Sequence, residues 1–354
     1  MEIKNFWKNK KVIVTGHTGF KGSWLSLWLI HLGAEVKGIS LEPHTQPNLF
    51  NILNLNKSLD NVILDICDFT KLDKEIKLFK PDVIFHLAAQ SLVIDSYNDP
   101  LATFQTNIIG SANVLNSSKN LDSLGAFVNV TSDKCYDNKE WNFSYREDDE
   151  LGGYDPYSSS KACAELITKS FRNSYFKDNP IISSVRAGNV IGGGDWNENR
   201  LLKDLFHAVN TKTPIKLRNP NATRPWQHVL DPLNGYLLLA EKIYKNSGYD
   251  QAWNFGPDFT SIIKVQELVN KYFHHFDFIN PHEFVSYENK KFHEAGYLSL
   301  DCSKSKKLLN WHPKYDVDKS ISETARWHLA FMNNENMLDF TLDQINKFVN
   351  LNQI

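Results

Sequence analysis

A chain of 354 residues is long for one compact domain and ordinary for two. Hydrophobic residues make up 42% of the chain and charged residues 23%, which is the usual range for globular proteins. The formal net charge of −2 argues against the strongly basic surface of nucleic-acid-binding proteins and favours a small ligand.

Targeting and redox features are weak in this chain. The basic amino-terminal residues are followed by the short apolar run 12–14, which Gly16 ends too early for a signal-peptide core. No stretch approaches the roughly 18 apolar residues that a membrane span needs. We therefore expect a cytoplasmic protein that binds neither membrane nor metal and keeps four scattered cysteines reduced: Cys67, Cys135, Cys163 and Cys302.

The first half of the chain alternates short apolar runs with amphipathic segments. The runs are rich in Val, Ile and Phe and predict strands at residues 12–15, 36–40, 62–65, 83–87, 127–131 and 181–186. Amphipathic segments such as 101–119 and 157–176 predict helices between them. Strands that alternate with helices predict a doubly wound parallel Rossmann sheet covered on both faces.

The pattern changes after Arg186, where glycine and proline become frequent, as in Gly192-Gly193-Gly194. It returns briefly as a predicted helix at 230–244 and a strand at 251–255. We predict a dinucleotide-binding Rossmann domain made of residues 1–185 with 226–258. Residues 186–225 with 259–354 are predicted to form a smaller, mostly C-terminal α/β domain for the substrate, at the carboxyl edge where doubly wound sheets bind ligands.

Arginine is concentrated in this second part of the chain. The first of only seven arginines is Arg146, and four lie between residues 186 and 224: Arg186, Arg200, Arg218 and Arg224. Because arginine suits bidentate phosphate recognition, the cluster predicts a phosphorylated substrate. Surface arginines that cluster by chance are the alternative interpretation.

Three glycines spaced by three follow the first predicted strand: Gly16, Gly19 and Gly22. In this pattern the first glycine permits a tight turn, the second lets backbone approach a pyrophosphate, and the third allows close packing of helix on strand. The helix that follows, predicted at 23–32, would direct its N–H groups and positive dipole end at the anion. The sequence therefore predicts a dinucleotide cofactor site here.

The second predicted strand indicates which dinucleotide is bound. An acidic residue about 20 residues beyond the glycines usually holds the ribose hydroxyls of NAD, but here the strand ends at Ser40 and Glu42 comes too late. A serine would bind the ribose hydroxyls more weakly than a carboxylate. No arginine in the first 145 residues is available for an NADP phosphate, and Lys37 is interpreted as a solvated strand residue, so NAD is favoured. Asp65 is either an adenine contact or a turn-forming aspartate.

Tyr157 and Lys161 are four residues apart on a predicted helix, so they share one face. A phenol titrates near ~10 in water. A neighbouring ammonium and the positive charge of an oxidised nicotinamide would lower the pKa of Tyr157 and make it a usable base. A solvent-exposed Tyr and Lys without partners is the alternative.

With these pieces in place, nearly the whole chain resembles the extended short-chain dehydrogenase/reductase family. The matching stretches are 16–22, 86–90, Asn107, Thr131-Ser132-Asp133 and the Tyr157/Lys161 pair. The resemblance implies that Ser132 binds the reacting oxygen of the substrate, that Tyr157 is the base, and that Lys161 holds Tyr157 and the nicotinamide ribose. The cofactor-binding residues that we predict are Gly16, Thr18, Gly19, Phe20, Gly22, Ser40, Asp65, Ile66, Leu87, Ala88, Ala89, Gln90, Asn107, Tyr157 and Lys161.

Asp133 and Lys134 distinguish groups within this family. Its sugar-nucleotide epimerases carry no acid–base pair here, and its dTDP-glucose dehydratases carry Asp-Glu. Together with stretches 16–24, 152–157, 186–196 and 224–229, the Asp-Lys pair resembles the CDP-glucose 4,6-dehydratases. That resemblance implies C4 oxidation, elimination of water across C5 and C6, and return of hydride to C6, with Asp133 as acid and Lys134 as base. An ion-pairing or phosphate-facing Lys134 is the alternative.

The implied substrate is CDP-glucose or a close nucleotide sugar. Its predicted contacts are Gln90, Ser132, Asn189, Arg218, Arg224, His293 and Tyr297. A 4,6-dehydratase or 4-epimerase of a UDP-, dTDP- or GDP-sugar is the nearest rival, and a non-catalytic NAD(H)-binding sensor is a more distant one. The family pairs subunits through two helices, here 101–119 and 157–176, which implies a homodimer or a dimer of dimers.

Overall fold

The computed structural model describes residues 2–177, 179, 181–217, 219–276, 285–287 and 297–351. Its strands are β1 (Lys11–Thr15), β2 (Glu35–Ser40), β3 (Asp60–Ile63), β4 (Val83–His86), β5 (Ala126–Val130), β6 (Ile182–Arg186), β7 (Val190–Ile191), β8 (Ile215–Leu217), β9 (Thr223–Pro225), β10 (Gln227–His228), β11 (Ala252–Asn254), β12 (Ile262–Lys264) and β13 (Val285–Tyr287).

The α-helices are α1 (Glu2–Trp7), α2 (Phe20–His31), α3 (Leu49–Ile52), α4 (Phe69–Phe79), α5 (Val93–Asn98), α6 (Pro100–Phe104), α7 (Ser111–Ser117), α8 (Pro156–Tyr175), α9 (Leu201–Thr211), α10 (Leu230–Lys245), α11 (Val265–Phe273), α12 (Ser303–Leu309), α13 (Val317–Met332) and α14 (Met337–Asn350). Short 3₁₀ turns occupy Leu55–Lys57, Asp133–Cys135 and Phe259–Ser261, and a π-helical segment, Gln105–Gly110, joins α6 to α7.

A seven-stranded parallel sheet, built from residues 11–186 with 252–254, has the order β11-β6-β5-β4-β1-β2-β3. The strand order reverses between β1 and β4, which is where doubly wound sheets bind ligands. Every residue of β4 and β5 is buried, as expected for central strands covered by helices on both faces. The predicted Rossmann sheet is therefore confirmed, and only the third strand lies two residues earlier than predicted.

A second hydrophobic cluster lies under helices α9, α11 and α13. Its most buried members include Leu205, Leu268, Tyr272 and Ile321. Around it run the two-stranded pairs β10-β7, β12-β9 and β13-β8. The final helix α14 returns to α2, where the Phe348 ring meets the Trp28 ring at a centroid distance of 5.8 Å. The exact domain boundaries given above stay a prediction.

Within the described residues, none of the helices is both long enough and apolar enough to cross a membrane.

Candidate active site

The glycine loop packs tightly against neighbouring backbone at the carboxyl end of β1. Gly16 has φ +74°, and a side-chain carbon there would lie 2.7 Å from the backbone nitrogen of Ala88. A side-chain carbon on Gly22 would lie 2.1 Å from the Gly16 carbonyl oxygen. Gly19 directly precedes the first turn of α2, which begins at Phe20. The loop therefore needs glycine at both close approaches and directs backbone N–H groups toward the sheet edge.

The segment after β4 is fixed to this loop through a buried threonine. Thr15 Oγ1 accepts hydrogen bonds from the backbone N–H groups of Leu87 at 3.1 Å and Ala88 at 3.2 Å, and it pairs with His86 Nδ1 at 2.7 Å. Burial, followed by the charge of Lys161, lowers the pKa of His86 to about 3, so this histidine is neutral. The predicted cofactor contacts from Leu87 to Gln90, including Ala89, are partly exposed at this edge.

At the end of β2 the structure resolves the role of two residues. The Ser40 hydroxyl pairs with the hydroxyl of Thr18 at 2.9 Å, in a buried position beside the glycine loop. Lys37 Nζ forms ion pairs with Asp60 at 2.9 Å and Glu75 at 2.8 Å. Lys37 is therefore not the solvated residue that the sequence suggested. Because its ammonium is already paired with two carboxylates, it is not free to bind the phosphate of NADP.

Two further predicted cofactor contacts follow β3. Asp65 is exposed, and its Oδ1 accepts a hydrogen bond from the backbone N–H of Cys67 at 2.8 Å. This is the turn-forming arrangement that was one of its two interpretations, and an adenine contact stays a prediction. Ile66 is buried against Gly110, where a side-chain carbon would come within 2.5 Å of the Ile66 methyl group.

Asn107 connects the cofactor edge to the helix that carries Tyr157. Its Oδ1 accepts from the backbone N–H of Gln90 at 2.8 Å, and its Nδ2 donates to the Gln90 carbonyl at 2.9 Å and to Ser160 Oγ at 2.8 Å. The Gln90 side chain folds back onto the backbone of Leu92. Asn107 therefore holds the loop and the helix together, while direct ligand contacts by both residues stay predictions.

Tyr157 lies in the first turn of α8 and is 7% exposed, and Lys161 lies one turn later at 6%. Lys161 Nζ is 6.0 Å from the centre of the Tyr157 ring. Burial raises the pKa of Tyr157 to about 12, although a hydrogen bond with Ser132 and the charge of Arg200 act in the opposite direction. The prediction that Lys161 lowers the pKa of Tyr157 is therefore wrong when only the groups of the protein are considered.

Two lysines share this end of the sheet. Burial, together with repulsion from Lys21, lowers the pKa of Lys161 to about 8. Lys21 lies half-buried at the start of α2; burial and repulsion from Arg200 lower its pKa to about 8, with Asp133 opposing. The glycine loop thus brings a second lysine close to Lys161 on α8.

Ser132, Asp133 and Lys134 form a turn beside Tyr157. The Ser132 hydroxyl donates to Asp133 Oδ1 at 3.0 Å, and Lys134 Nζ lies 3.7 Å from the same oxygen. Asp133 is 1% exposed, and its Oδ2 has no hydrogen-bond partner among the described residues. A side-chain carbon on Gly188 would lie 1.8 Å from Oδ2, so glycine at that position makes room for the Asp133 carboxylate. Lys134, by contrast, is 35% exposed.

Arg186 does not bind a phosphate, and this part of the arginine prediction is wrong. Its guanidinium is 2% exposed and forms an ion pair with Glu165, with Nη2 to Oε2 at 2.9 Å. Its Nη1 donates to the Tyr136 hydroxyl at 2.7 Å and to the Glu147 carbonyl at 2.9 Å. Residue type and sequence clustering could not reveal these partners, which come together only in the folded protein.

The glycine-rich loop after β7 is held in place by tryptophans. Trp24 Nε1 donates to the Gly193 carbonyl at 3.0 Å, and a side-chain carbon on Gly193 would lie 2.0 Å from the Trp327 ring. Just before β7, Asn189 has φ +50°, and its Nδ2 is buried without a hydrogen-bond partner among the described residues. This amide is the clearest candidate here for a contact with a ligand.

The remaining predicted substrate contacts are spread more widely. Arg224 is half-buried on β9, where its Nη1 donates to the Thr223 carbonyl at 3.0 Å. Tyr297 is half-buried, and its hydroxyl accepts from Ser299 at 3.1 Å. Arg218 and His293 lie outside the described residues.

Sequence reasoning missed Lys21 and Glu165 at this site, and it named Arg200 only as a member of the arginine cluster. Arg200 directly precedes α9. Its Nη2 donates to the Ser91 carbonyl at 3.3 Å, and its Nε lies 3.8 Å from the Asp195 carboxylate. A signal for Lys21 was its position inside the glycine pattern. Glu165 had a signal too, because it continues the four-residue spacing of Tyr157 and Lys161.

Comparison with known proteins places this geometry in a family. The model of the family described as GDP-mannose 4,6 dehydratase matches residues 13–324. The CDP-glucose 4,6-dehydratase of Salmonella typhimurium is 45% identical, over 98% of each protein.

Solved structures show the same fold. The dTDP-glucose 4,6-dehydratase DesIV of Streptomyces venezuelae, with NAD and TYD bound, has a TM-score of 0.79 at 22% identity, covering 93% of this chain and 99% of that one. The UDP-glucose 4-epimerase of Thermotoga maritima, with UDP-glucose, has a TM-score of 0.80 at 21% identity, covering 91% and 99%. Because a dehydratase and an epimerase both match, the fold alone does not select the reaction.

Proposed function

This chain belongs to the GDP-mannose 4,6-dehydratase family, and from that premise we propose that it is an NAD-dependent CDP-glucose 4,6-dehydratase. The reaction converts CDP-D-glucose into CDP-4-keto-6-deoxy-D-glucose and water. The observation that carries the proposal is the Asp133-Lys134 pair, which lies against Ser132 beside Tyr157. Elimination needs an acid and a base at this point, whereas epimerisation at C4 needs neither.

The residues at the carboxyl ends of β1 and β4 fit NAD. Gly16 and Gly22 let the loop pack directly against backbone atoms of Leu87 and Ala88 and of Gly16 itself, and α2 begins at Phe20 within the same loop. Gly16, Thr18, Gly19 and Phe20 would hold the pyrophosphate, and Tyr157 with Lys161 would hold the nicotinamide end. When bound, NAD⁺ would supply the hydride acceptor for oxidation at C4 and, as NADH, the hydride donor for C6, so the reaction would have no net redox change.

The first chemical role belongs to Tyr157. It takes the proton of the C4 hydroxyl as C4 is oxidised, and the Ser132 hydroxyl donates a hydrogen bond to the same oxygen. The bond to Ser132 and the charge of Arg200 favour the phenolate against the effect of burial. Lys161 places a positive charge one turn beyond Tyr157 on α8, because a lysine with a pKa of about 8 is mostly protonated at neutral pH.

The second role belongs to the Asp133-Lys134 pair. Once C4 is a ketone, the proton on C5 is acidic, and Lys134 removes it. Asp133 donates a proton to the C6 hydroxyl, which leaves as water. For these roles Asp133 must carry the proton and Lys134 must be neutral, so a proton moves from the Lys134 ammonium to the Asp133 carboxylate, with Nζ 3.7 Å from Oδ1, before elimination begins. The buried Oδ2 of Asp133, which has no hydrogen-bond partner among the described residues, offers the oxygen for the transfer to the C6 hydroxyl.

Substrate binding is proposed for residues beyond the catalytic turn. Arg224 and Arg218 are the proposed diphosphate ligands, and Asn189 with the Gly192–Gly194 loop lines the nucleotide pocket. The proposal is supported for Asn189 by its buried, unpaired amide. Gln90, His293 and Tyr297 complete the proposed contacts.

The nucleotide is the part of the proposal that enzymatic assays decide. Purified enzyme with added NAD⁺ should convert CDP-glucose into a product lighter by one water, and it should convert UDP-, dTDP- and GDP-glucose far more slowly. Equal or faster turnover of another nucleotide sugar would reassign the substrate and leave the reaction class unchanged. Binding of NAD⁺ without turnover of any of them would favour a sensor.

The enzyme is expected to prefer NAD⁺ to NADP⁺ and to hold NAD⁺ weakly. Ser40 stands where an acid would grip the ribose, and Lys37 is already paired with Asp60 and Glu75. Calorimetric titration should therefore give a lower dissociation constant for NAD⁺, and added NAD⁺ should raise the activity of purified enzyme. Tighter binding of NADP⁺ would show that this account of the ribose end is wrong.

We propose a homodimer, or a dimer of dimers, paired through α6, α7 and α8. Large apolar side chains are exposed along these helices and the segment between them, including Leu101, Ile109 and Leu166, and apolar surface of this kind marks contact sites. Analytical ultracentrifugation tests the assembly.

The four cysteines are free thiols, which supports a cytoplasmic location.

A further inference from the structure

A buried carboxylate lies behind the catalytic residues and takes no part in the mechanism described above. Glu165 follows Lys161 by four residues on α8, as Lys161 follows Tyr157, so all three lie on one face of the helix. Glu165 is 4% exposed. Buried carboxylates are rare unless they are paired and hydrogen-bonded, so this one needs a structural or functional reason.

The Glu165 carboxylate accepts hydrogen bonds from three side chains outside its own helix. Thr131 Oγ1 donates to Oε1 at 2.5 Å, while Ser184 Oγ at 2.7 Å and Arg186 Nη2 at 2.9 Å donate to Oε2. Ser184 and Arg186 lie on β6, and Thr131 lies in the turn that follows β5. Glu165 therefore joins the catalytic helix to two adjacent strand ends.

The charge of Glu165 is retained in this buried place. Burial alone would raise the pKa of Glu165. The positive charge of Arg186 and the hydrogen bonds from Arg186, Thr131 and Ser184 outweigh burial and lower the pKa below its usual value. The same pairing raises the pKa of Arg186. An ionised carboxylate with all its donors in place makes a rigid connection, because leaving any of these buried groups unpaired is costly.

Thr131 is the residue through which this connection reaches the chemistry. It directly precedes Ser132 and Asp133, and it is 5% exposed. Its backbone N–H donates to the Val185 carbonyl at 2.9 Å, and its hydroxyl oxygen lies 3.1 Å from the same carbonyl, so the single hydroxyl hydrogen points mainly to the nearer Glu165 carboxylate. The hydroxyl bond to Glu165 is therefore a side-chain link, beside the bond between Ser132 and Tyr157, between the Ser132-Asp133 turn and the helix that carries Tyr157 and Lys161.

We propose that Thr131 and Glu165 are positioning residues for the dehydration, because their hydrogen bond sets the distance between the Ser132-Asp133 turn and Tyr157. This inference rests on the proposed function. Neither residue touches the reacting atoms. Ser132 and Tyr157 must contact the same substrate oxygen, and displacements of about 1 Å in such arrangements can cost about a hundredfold in rate.

The test compares two single hydroxyl deletions around the same carboxylate. Thr131→Val removes the donor on the catalytic turn and keeps a similar volume, and Thr131→Ser keeps the donor. Ser184→Ala is the matched control, because Ser184 is 1% exposed and donates to the same carboxylate, but from β6. Thermal unfolding establishes that all three variants are folded before kinetics are measured.

We expect Thr131→Val to lower kcat about tenfold or more, with KM for CDP-glucose and NAD⁺ affinity within about twofold of wild type. Thr131→Ser should recover most of kcat, and Ser184→Ala should lose stability without a comparable loss of kcat. A folded Thr131→Val enzyme with wild-type kcat overturns the proposal, as does an equal loss of kcat in Thr131→Val and Ser184→Ala.

Failure of the proposed function is distinguishable from failure of this inference. If the wild-type enzyme turns over no nucleotide sugar, the proposed function fails, and crystal structures of the same variants decide the positioning role. Thr131→Val should then displace Ser132 and Asp133 relative to Tyr157, while Ser184→Ala leaves them in place. An undisplaced turn in Thr131→Val overturns the inference independently of activity.

Discussion

Replacing Tyr157 by Phe is expected to lower turnover of CDP-glucose by about a hundredfold or more while the enzyme still binds NAD⁺. The variant keeps the aromatic ring in its buried position at the start of α8 and removes only the hydroxyl that bonds to Ser132. The lost step is removal of the C4 hydroxyl proton, so oxidation at C4 should fail and no NADH should form on mixing with substrate.

Tyr175→Phe is the matched control for this variant. Tyr175 lies at the other end of α8 and is 58% exposed, so loss of its hydroxyl should leave turnover unchanged. Calorimetric titration with NAD⁺ separates loss of chemistry from loss of cofactor binding. Wild-type turnover by Tyr157→Phe would show that the base is another group.

The second large effect is expected at Asp133 and Lys134, which we propose act after C4 oxidation. Asp133→Asn should still oxidise C4 but should protonate the C6 hydroxyl poorly, because an amide lacks the transferable proton of a carboxylic acid. Enzyme-bound NADH should therefore accumulate, which absorbance at the NADH band detects directly. Rapid formation of product without such accumulation would place the acid elsewhere.

Lys134→Met should likewise allow oxidation, and it should also slow exchange of the C5 proton with solvent deuterium. Rapid-quench mass spectrometry in D₂O measures that exchange. Lys139→Met provides the control, since Lys139 lies in the same loop, is half-exposed and pairs with Asp137 and Glu150 instead of Asp133. Its C5 exchange should equal that of wild type.

An alternative role for Lys134 gives a different result in the same experiment. If Lys134 positions the diphosphate, Lys134→Met should raise KM, and C5 exchange should survive at saturating substrate. Incorporation of deuterium at C5 as fast as in wild type would mean that the base lies elsewhere and that the mechanism proposed for this pair fails.

Local sequence patterns predicted the Rossmann sheet well because its central strands are buried on both faces. Runs such as 83–87 and 127–131 are apolar or β-branched except for one residue each, His86 and Asn129, and that composition is typical of a strand covered on both faces. The small pairs around β7 and β10 were not predicted, because strands of two residues are too short to show any period. The π-helical turn Gln105–Gly110 within the helix predicted at 101–119 was also unforeseen.

The catalytic cluster was predictable from motifs, whereas the pairing of buried charges was not. Tyr157, Lys161 and the Ser132-Asp133 turn lie in recognisable stretches at the ends of strands. Arg186 and Lys37 were misassigned because their partners are set by tertiary structure: Glu165 comes from a different element, and Asp60 and Glu75 come from β3 and α4. Charge-count arguments do not identify such partners.

The pKa of Tyr157 is a similar case. Spacing placed an ammonium one turn away, and we expected this charge, together with that of an oxidised nicotinamide, to lower the pKa of Tyr157. Burial in the folded protein outweighs the neighbours and raises the pKa to about 12. A desolvation cost of this kind depends on everything packed around the hydroxyl, which no local pattern records.

The central claim is that this active site removes water after moving hydride from C4 to C6 of one sugar. CDP-glucose carrying deuterium at C4 of the glucose tests it directly, with the product analysed by mass spectrometry and NMR. The account predicts a 4-keto-6-deoxy product, lighter by one water, that carries the deuterium on C6. A C4 epimer of unchanged composition, or a dehydrated product without deuterium on C6, would contradict it.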